Sequence, residues 1–331
     1  MNMRTILLFS DGRLARKDNT IVFDYGDRKR FLPIQKIDEI LIFGEVDLNK
    51  RLLEFCSKHG IVLHFFNYYE YYAGSYYPRE HYNSGHMLLR QVAHYIDPEK
   101  WLQLARGFVE GAIRNIRQVL KYYQNRGRNL SDTIERIECL NEDVQGANSI
   151  ETLMAIEGNA HATYYKSFDE IIKNPDFVFE KRTRRPPQNY VNTLISLGNS
   201  ILYTTVLSEI YKTHLDPRIG YLHTTNWRRF TLNLDIAEVF KPIIVDRAIF
   251  TVVNDGRIKA DDFVKESGGV FLKDNGRKTF IAEIMQKLQT TVKHRVLGRS
   301  VSYRRLIRME LYKLEKHLLG EKEYTPFVAL W

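Results

Sequence analysis

The sequence predicts an α+β protein: a β-rich N-terminal domain over residues 1–85, then a larger all-α domain over 86–331. The spacing of apolar residues changes from about two to about 3.6 after Gly85. Turn dipeptides punctuate the first 80 residues at short intervals. Asp97-Pro98 then offers an N-cap and a proline at the first helical position, opening a long amphipathic stretch. A chain of 331 residues is long enough for two domains, each with its own core.

Taken in order, residues 5–9, 20–25, 39–43 and 61–66 are short runs rich in Ile, Val, Phe and Leu and read as strands. Asp11-Gly12, Gly26-Asp27, Phe43-Gly44 and His59-Gly60 are the turns between them. Residues 49–58, with Leu52, Leu53 and Phe55, read as one short helix. Tyr68, Tyr69, Tyr71, Tyr72, Tyr76 and Tyr77 form an aromatic segment, read as interface or junction residues ahead of base-stacking ones. From Trp101 through Leu104, Phe108, Ala112, Ile116, Leu120 and Tyr123, apolar residues recur at three- and four-residue steps, with the bases largely on the other face. Further helical patterns cover 131–141, 149–172, 188–214, 227–252 and 281–318, and Asn275-Gly276 predicts a small hairpin.

The composition, 44% hydrophobic and 27% charged, excludes a disordered chain. Cys56 and Cys139, the only cysteines, are too few for a disulfide scaffold or a Cys-based zinc site. The apolar run at residues 6–9 is too short for a signal-peptide core, and no run approaches the roughly 18 residues of a membrane span. A cytoplasmic protein with no membrane partner is the expectation. The formal charge of +9 is unevenly placed: residues 285–317 carry +7 and residues 101–130 carry +5, so the rest of the chain nets −3. Clustering of this kind suits a polyanion such as nucleic acid, though it also fits two solvated helix faces.

Acidic residues sit where they cost most. In the helix predicted over 149–172, Glu157 falls within the stripe Ile150, Leu153, Met154, Ala160, Tyr164, Phe168 and Ile171. A carboxylate on a core-facing stripe must be paired or bind a cation. His161 lies one turn on, but Glu-x-x-x-His is not the His-Glu-x-x-His zinc pattern. Asp235 and Glu238, three apart on a mostly apolar helix, repel unless a metal or an arginine separates them. His223 precedes them in a turn opened by Asp216-Pro217 and Gly220. One histidine with three carboxylates suits Mg²⁺ or Mn²⁺ better than a soft metal. Lys181, Arg182, Arg184 and Arg185, held ahead of Pro186-Pro187, fit either a phosphate clamp or a solvated linker. There is no phosphate-cradling Gly-x4-Gly-Lys loop. Together these features point to metal-assisted cleavage or transfer of a phosphodiester on nucleic acid, leaving DNA or RNA, and hydrolysis or strand transfer, open.

At this point the residues resemble a known family, the Cas-one family of CRISPR-associated endonuclease/integrases in its type I-like form. The resemblance covers essentially the whole chain. Its blocks are the N-terminal run through FGEVDLNKRLLEFCSKHGIVLHFFN, IEGNAHATYY at 156–165, RTRRPPQNYVNTLISLGNSILY at 182–203, LDPRIGYLH at 215–223 and LDIAEVFKPIIVDR at 234–247. It implies a β-rich domain that forms a homodimer and a helical catalytic domain. It implies a divalent-metal site on Glu157, His223 and Glu238, with Glu238 standing where many relatives have Asp and Asp235 competing for the same shell. It further implies insertion of short DNA fragments into a CRISPR array, in antiviral adaptive immunity. The 3′-hydroxyl of the fragment attacks a phosphodiester at the repeat boundary, beside a small dimeric partner, Cas-two. Lys293, Arg295, Arg299, Arg304, Arg305 and Arg308, with Lys181, Arg182, Arg184 and Arg185, are then expected on the double-stranded DNA backbone. The same ligands also fit a stand-alone nuclease on branched or single-stranded DNA, and the basic stretches alone fit a catalytically silent nucleic-acid-binding scaffold.

Overall fold

The computed structural model describes residues 4–330 except 70, 79–81, 83, 224–229, 267, 295 and 296. The chain divides into two compact units, Met1–Tyr82 and Asn83–Trp331.

The first unit holds strands β1 (Arg4–Leu8), β2 (Gly12–Lys17), β3 (Thr20–Tyr25), β4 (Arg28–Pro33), β5 (Ile37–Ile42) and β6 (Val46–Asp47). Helix α1 (Lys50–Lys58), β7 (Val62–Phe66) and β8 (Tyr72–Tyr76) complete it. One sheet has the order β1-β5-β7-β8, parallel except for the antiparallel β8. The other has the order β4-β3-β2-β6, antiparallel except where β6 runs parallel to β2. Ile6, Leu8, Leu14, Ile21, Phe23, Ile40, Leu52, Phe55 and Leu63 share one core. Strands β2 and β4 escape the apolar pattern because each buries a single residue fully, Leu14 in one and Leu32 in the other. Their register is set by tight turns: Lys17 pairs with Thr20 across Asp18, at φ 52°, and Tyr25 pairs with Arg28 across Gly26, at φ 56°.

The second unit opens with α2 (Gly85–Ile96) and α3 (Pro98–Gln124). Asp97 caps α3 by accepting from the backbone N–H of Glu99 and Lys100. Helices α4 (Ser131–Gly146), α5 (Ile150–Lys166) and α6 (Phe168–Ile171) follow, and α4 and α5 pack on α3. Helix α7 (Tyr190–Ile210) is buried along most of its length. The stretch predicted over 227–252 is α8 (Leu232–Lys241), a π-helical turn (Pro242–Asp246) and α9 (Arg247–Asn254). Gly198 of α7 lets that turn approach, since a Cβ there would stand 2.5 Å from Val245 Cγ1.

Two expectations differ from the structure. The hairpin predicted at Asn275-Gly276 is instead β9 (Phe263–Glu266) with β10 (Gly269–Leu272), and Asn275-Gly276 lies in α10 (Asp274–Gln289). Gly276 serves close packing, because a Cβ there would lie 2.7 Å from Leu272 Cδ2. The helix predicted over 281–318 is interrupted by the antiparallel pair β11 (Thr291–Lys293) and β12 (Ser300–Ser302) before α11 (Tyr303–Leu318). Thr290, Thr291 and Val292 are β-branched and resist helix continuation. Among the described residues the second unit is mostly helical, with two small hairpins.

Candidate metal centre

Helix α5 brings Glu157 to the site. Ser149 caps the helix by accepting from Thr152 N–H, and Ile150, Leu153, Ile156, Ala160 and Tyr164 anchor its buried face. Met154, placed on that stripe from the sequence, faces solvent, and Ile156 takes its place. Glu157 stands at the edge of the buried face, its side chain 20% exposed. One turn on, the buried His161 turns its Nε2 to Glu157 Oε1 at 3.0 Å and to Glu238 Oε2 at 3.2 Å. Its ring stacks on Tyr165.

Helix α8 supplies the facing wall. Asp235, Glu238 and Lys241 are all buried on it, with Leu232, Ile236, Ala237, Val239 and Phe240 around them. Glu238 Oε1 accepts a hydrogen bond from Lys241 Nζ and lies 3.9 Å from His223 Nε2. Burial raises the cost of the Glu238 charge, but Lys241, then His161 and His223, hold its carboxyl well below the usual range. Burial disfavours the His161 cation, yet Glu157 and Glu238 outweigh it and lift this imidazole to about 10.

Asp235 does a different job from the one its spacing allows. Its Oδ2 accepts from the backbone N–H of Tyr221 at 2.5 Å and of Leu222 at 3.1 Å. Its Oδ1 accepts from His223 N–H at 2.8 Å and from His223 Nδ1 at 2.9 Å. These hydrogen bonds engage both carboxylate oxygens, so Asp235 holds the turn at residues 221–223 and the His223 ring in place. Because Nδ1 donates to Asp235, the lone pair of neutral His223 sits on Nε2, toward Glu238. Gly220 admits this arrangement, since a Cβ there would meet Asp235 Oδ2 at 2.9 Å and Thr231 Oγ1 at 2.9 Å.

Glu157, His161 and Glu238 each offer a donor atom within 4.8 Å of the others. Carboxylates from two helices beside imidazole nitrogen, in a mostly buried setting, are a donor set that fits a hard or borderline divalent cation. Sequence reasoning noticed His161 without assigning it a role and missed Lys241. The signal for Lys241 was a cation three residues after Glu238 on an otherwise apolar helix.

The family model "CRISPR associated protein Cas1" matches residues 6–286. A CRISPR-associated endonuclease Cas1 of Thermodesulfovibrio yellowstonii is 55% identical over 328 residues, 99% of each chain. The chain belongs to the Cas1 family. The solved structure of a Cas1 protein from Thermotoga maritima shares 47% identity and superposes with a TM-score of 0.89, covering 98% of this chain and 100% of that one. A Cas6-RT-Cas1–Cas2 complex shares the fold at 20% identity and a TM-score of 0.84, covering all of this chain and 36% of that one.

For a Cas1 protein the basic residues matter next, and they divide sharply. Lys181, Arg184, Arg185, Lys293, Arg299 and Arg305 are exposed. Three of those expected on DNA turn inward instead. Arg304 Nε donates to Glu209 Oε1 at 2.8 Å and Arg308 Nε to Glu209 Oε2 at 2.6 Å, tying α11 to the fully buried carboxylate of α7. Arg182 is half-buried and donates to Thr183 O, to Asn192 Oδ1 at 2.9 Å and to Ser196 Oγ at 3.1 Å, holding its loop against α7. Arg295 lies outside the described residues. No helix among the described residues is long and apolar enough to cross a membrane.

Proposed function

We propose that this Cas1-family chain is a metal-dependent DNA endonuclease and integrase of CRISPR spacer acquisition. It inserts short DNA fragments into the array by 3′-hydroxyl attack on a repeat-boundary phosphodiester. The observation that carries the reading is the convergence of Glu157 and Glu238, from two helices, with His223 held by Asp235 at the same wall. Glu157, His223 and Glu238 would hold Mg²⁺ or Mn²⁺, both of which accept carboxylate oxygen. When bound, such a cation would supply polarisation of the scissile phosphate and stabilisation of the charge that develops in the transition state.

The chain's own residues prepare that centre. Asp235 fixes the His223 tautomer, and Lys241 keeps Glu238 ionised in spite of its burial. The exposed Lys181, Arg184, Arg185, Lys293, Arg299 and Arg305 offer phosphate contacts that set the register of DNA without reading its sequence. Membership in the family supports a homodimer formed through the β-rich unit, and a Cas2 partner such as the one in the Cas6-RT-Cas1–Cas2 complex.

The test is joining of a labelled duplex into a supercoiled plasmid that carries the CRISPR repeat, with and without Cas2. Joined product is expected with Mg²⁺ or Mn²⁺. Glu157→Ala, His223→Ala and Glu238→Ala should each abolish joining while leaving DNA retention largely intact; wild-type joining by any of them removes that residue from the centre. Cutting without joining would instead favour a stand-alone nuclease, and neither activity together with no metal uptake would favour a silent scaffold.

A further inference from the structure

Family resemblance implies Glu157, His223 and Glu238 as ligands, but among the described residues the trio whose donor atoms converge within 4.8 Å is Glu157, His161 and Glu238. We propose that His161 is itself a metal ligand, so that the centre offers two imidazoles, His161 and His223, beside two carboxylates. This inference rests on the metal-centre reading above and deepens it.

Three observations carry it. A single nitrogen, His161 Nε2, faces carboxylates from two helices at 3.0 and 3.2 Å, so a cation shared by both would take the place of the proton that the metal-free ring holds there. Glu157 and His161 stand one turn apart on α5, so helix geometry alone delivers both donors to the same point. The other ring nitrogen, Nδ1, is buried without a hydrogen-bond partner among the described residues. The two carboxylates and the stacking on Tyr165 are therefore what orient the ring, and no other hydrogen bond competes for its direction.

The two histidines are held differently, and that difference is informative. Asp235 points His223 Nε2 at the wall but leaves it 3.9 Å from Glu238. His161 already lies within hydrogen-bond distance of both carboxylates. A centre with two nitrogens and two carboxylates departs from the all-oxygen, water-rich shell that Mg²⁺ demands. It moves affinity toward divalent ions that take imidazole readily, with Mn²⁺ the hardest of these.

The experiment adds Mn²⁺ alone to the full-length chain and counts coordinated imidazole nitrogens by pulsed electron paramagnetic resonance. Calorimetry gives the Mn²⁺ and Mg²⁺ affinities of the same samples. Two imidazoles are expected in the wild type and one each in His161→Ala and His223→Ala. Mn²⁺ affinity should fall roughly tenfold or more in His161→Ala, a loss that even outer-shell changes can reach, while Mg²⁺ affinity moves much less. His161→Gln keeps a comparable volume and serves if the alanine variant fails to fold; the wild-type count compared with His223→Ala decides the matter without either. One imidazole in the wild type, unchanged in the His161 variants, overturns the proposal and leaves the metal-centre reading standing. No imidazole coupling in the wild type, with Mn²⁺ uptake unaltered by Glu157→Gln, overturns both.

Discussion

Around Glu238 the chemistry is one of competing charges. Lys241 and His161 contact its two oxygens, His223 approaches from 3.9 Å, and all of this occurs in a largely buried pocket. Asp235 works one layer further out. Asp235→Asn keeps the shape but puts an NH₂ group where one carboxylate oxygen accepted from backbone N–H or from His223. Strand joining and metal affinity should each fall by roughly 10- to 100-fold, short of the abolition expected for Glu157→Ala; titration calorimetry beside the joining assay checks this, and an unchanged affinity would remove Asp235 from the positioning role. Asp246, on the π-helical turn, is buried beside Tyr164. Burial, only partly offset by His161, Lys241 and a hydrogen bond from Tyr164, lifts its carboxyl from 3.8 to about 7. Between those values the unfolded chain gives up a proton that the folded chain keeps, so this residue makes stability fall as pH rises from about 4 to about 7, and level off above. The full effect is on the order of 4 kcal/mol. In Asp246→Asn, denaturant midpoints measured across that range should lose this component; an identical pH slope in the variant would refute the assignment.

At the scale of elements, the site depends on how closely α7 packs on the turn after α8. Val245 Cγ1 stands 2.5 Å from the position a Gly198 Cβ would take, and Phe280 closes the other side at 3.3 Å. Gly198→Val should therefore cost roughly 1–3 kcal/mol through overpacking, read as a lowered thermal midpoint, and should reduce joining because the strain falls on the π-helical turn that continues the helix carrying Glu238. A variant as stable as the wild type would show that α7 can move away. The close packing was legible from a glycine inside an apolar helix, and the N-cap of α3 from Asp97-Pro98. Strands β2 and β4 were not legible, since Leu14 and Leu32 stand nearly alone among charged neighbours and depend on β3 for their alignment. The β11–β12 pair escaped for the same reason: Val301 is its one buried residue among those described. Glu157 and Glu238 stood out in the sequence because carboxylates on apolar helix faces violate the ordinary pattern, and the fold brings both of them to His161. The orienting role of Asp235 was not legible, because it depends on a turn whose backbone N–H groups only the fold aims at one carboxylate.

Across the whole molecule, the clustered bases that would suit a polyanion divide into two groups that composition cannot separate. Arg304 and Arg308 belong to the same basic stretch as Arg299 and Arg305, yet the first two neutralise the fully buried Glu209 and the second two face outward. Helical position decides between them: residues 304 and 308 are one turn apart on the face of α11 that meets α7, whereas 305 lies on the exposed face. Burial holds the Glu209 carboxyl up, but Arg304, Lys212 and Arg308 together more than reverse this and keep it ionised. The two groups of bases should then respond differently to substitution. Reversing Lys293, Arg299 and Arg305 to glutamate should leave the thermal midpoint nearly unchanged and flatten the salt dependence of duplex binding, by about 0.9 in the logarithmic slope for each phosphate no longer neutralised. Arg304→Ala with Arg308→Ala should do the opposite, lowering stability by roughly 3–5 kcal/mol as Glu209 is left buried without its arginines, while the slope measured well below the melting temperature stays near the wild-type value. Fluorescence anisotropy over a salt series, run beside differential scanning calorimetry on the same samples, separates the two cases. If the slope flattens with Arg304 and Arg308 and not with the exposed set, the inward pair is the one that meets DNA, and the ion pairs with Glu209 must open for it to do so.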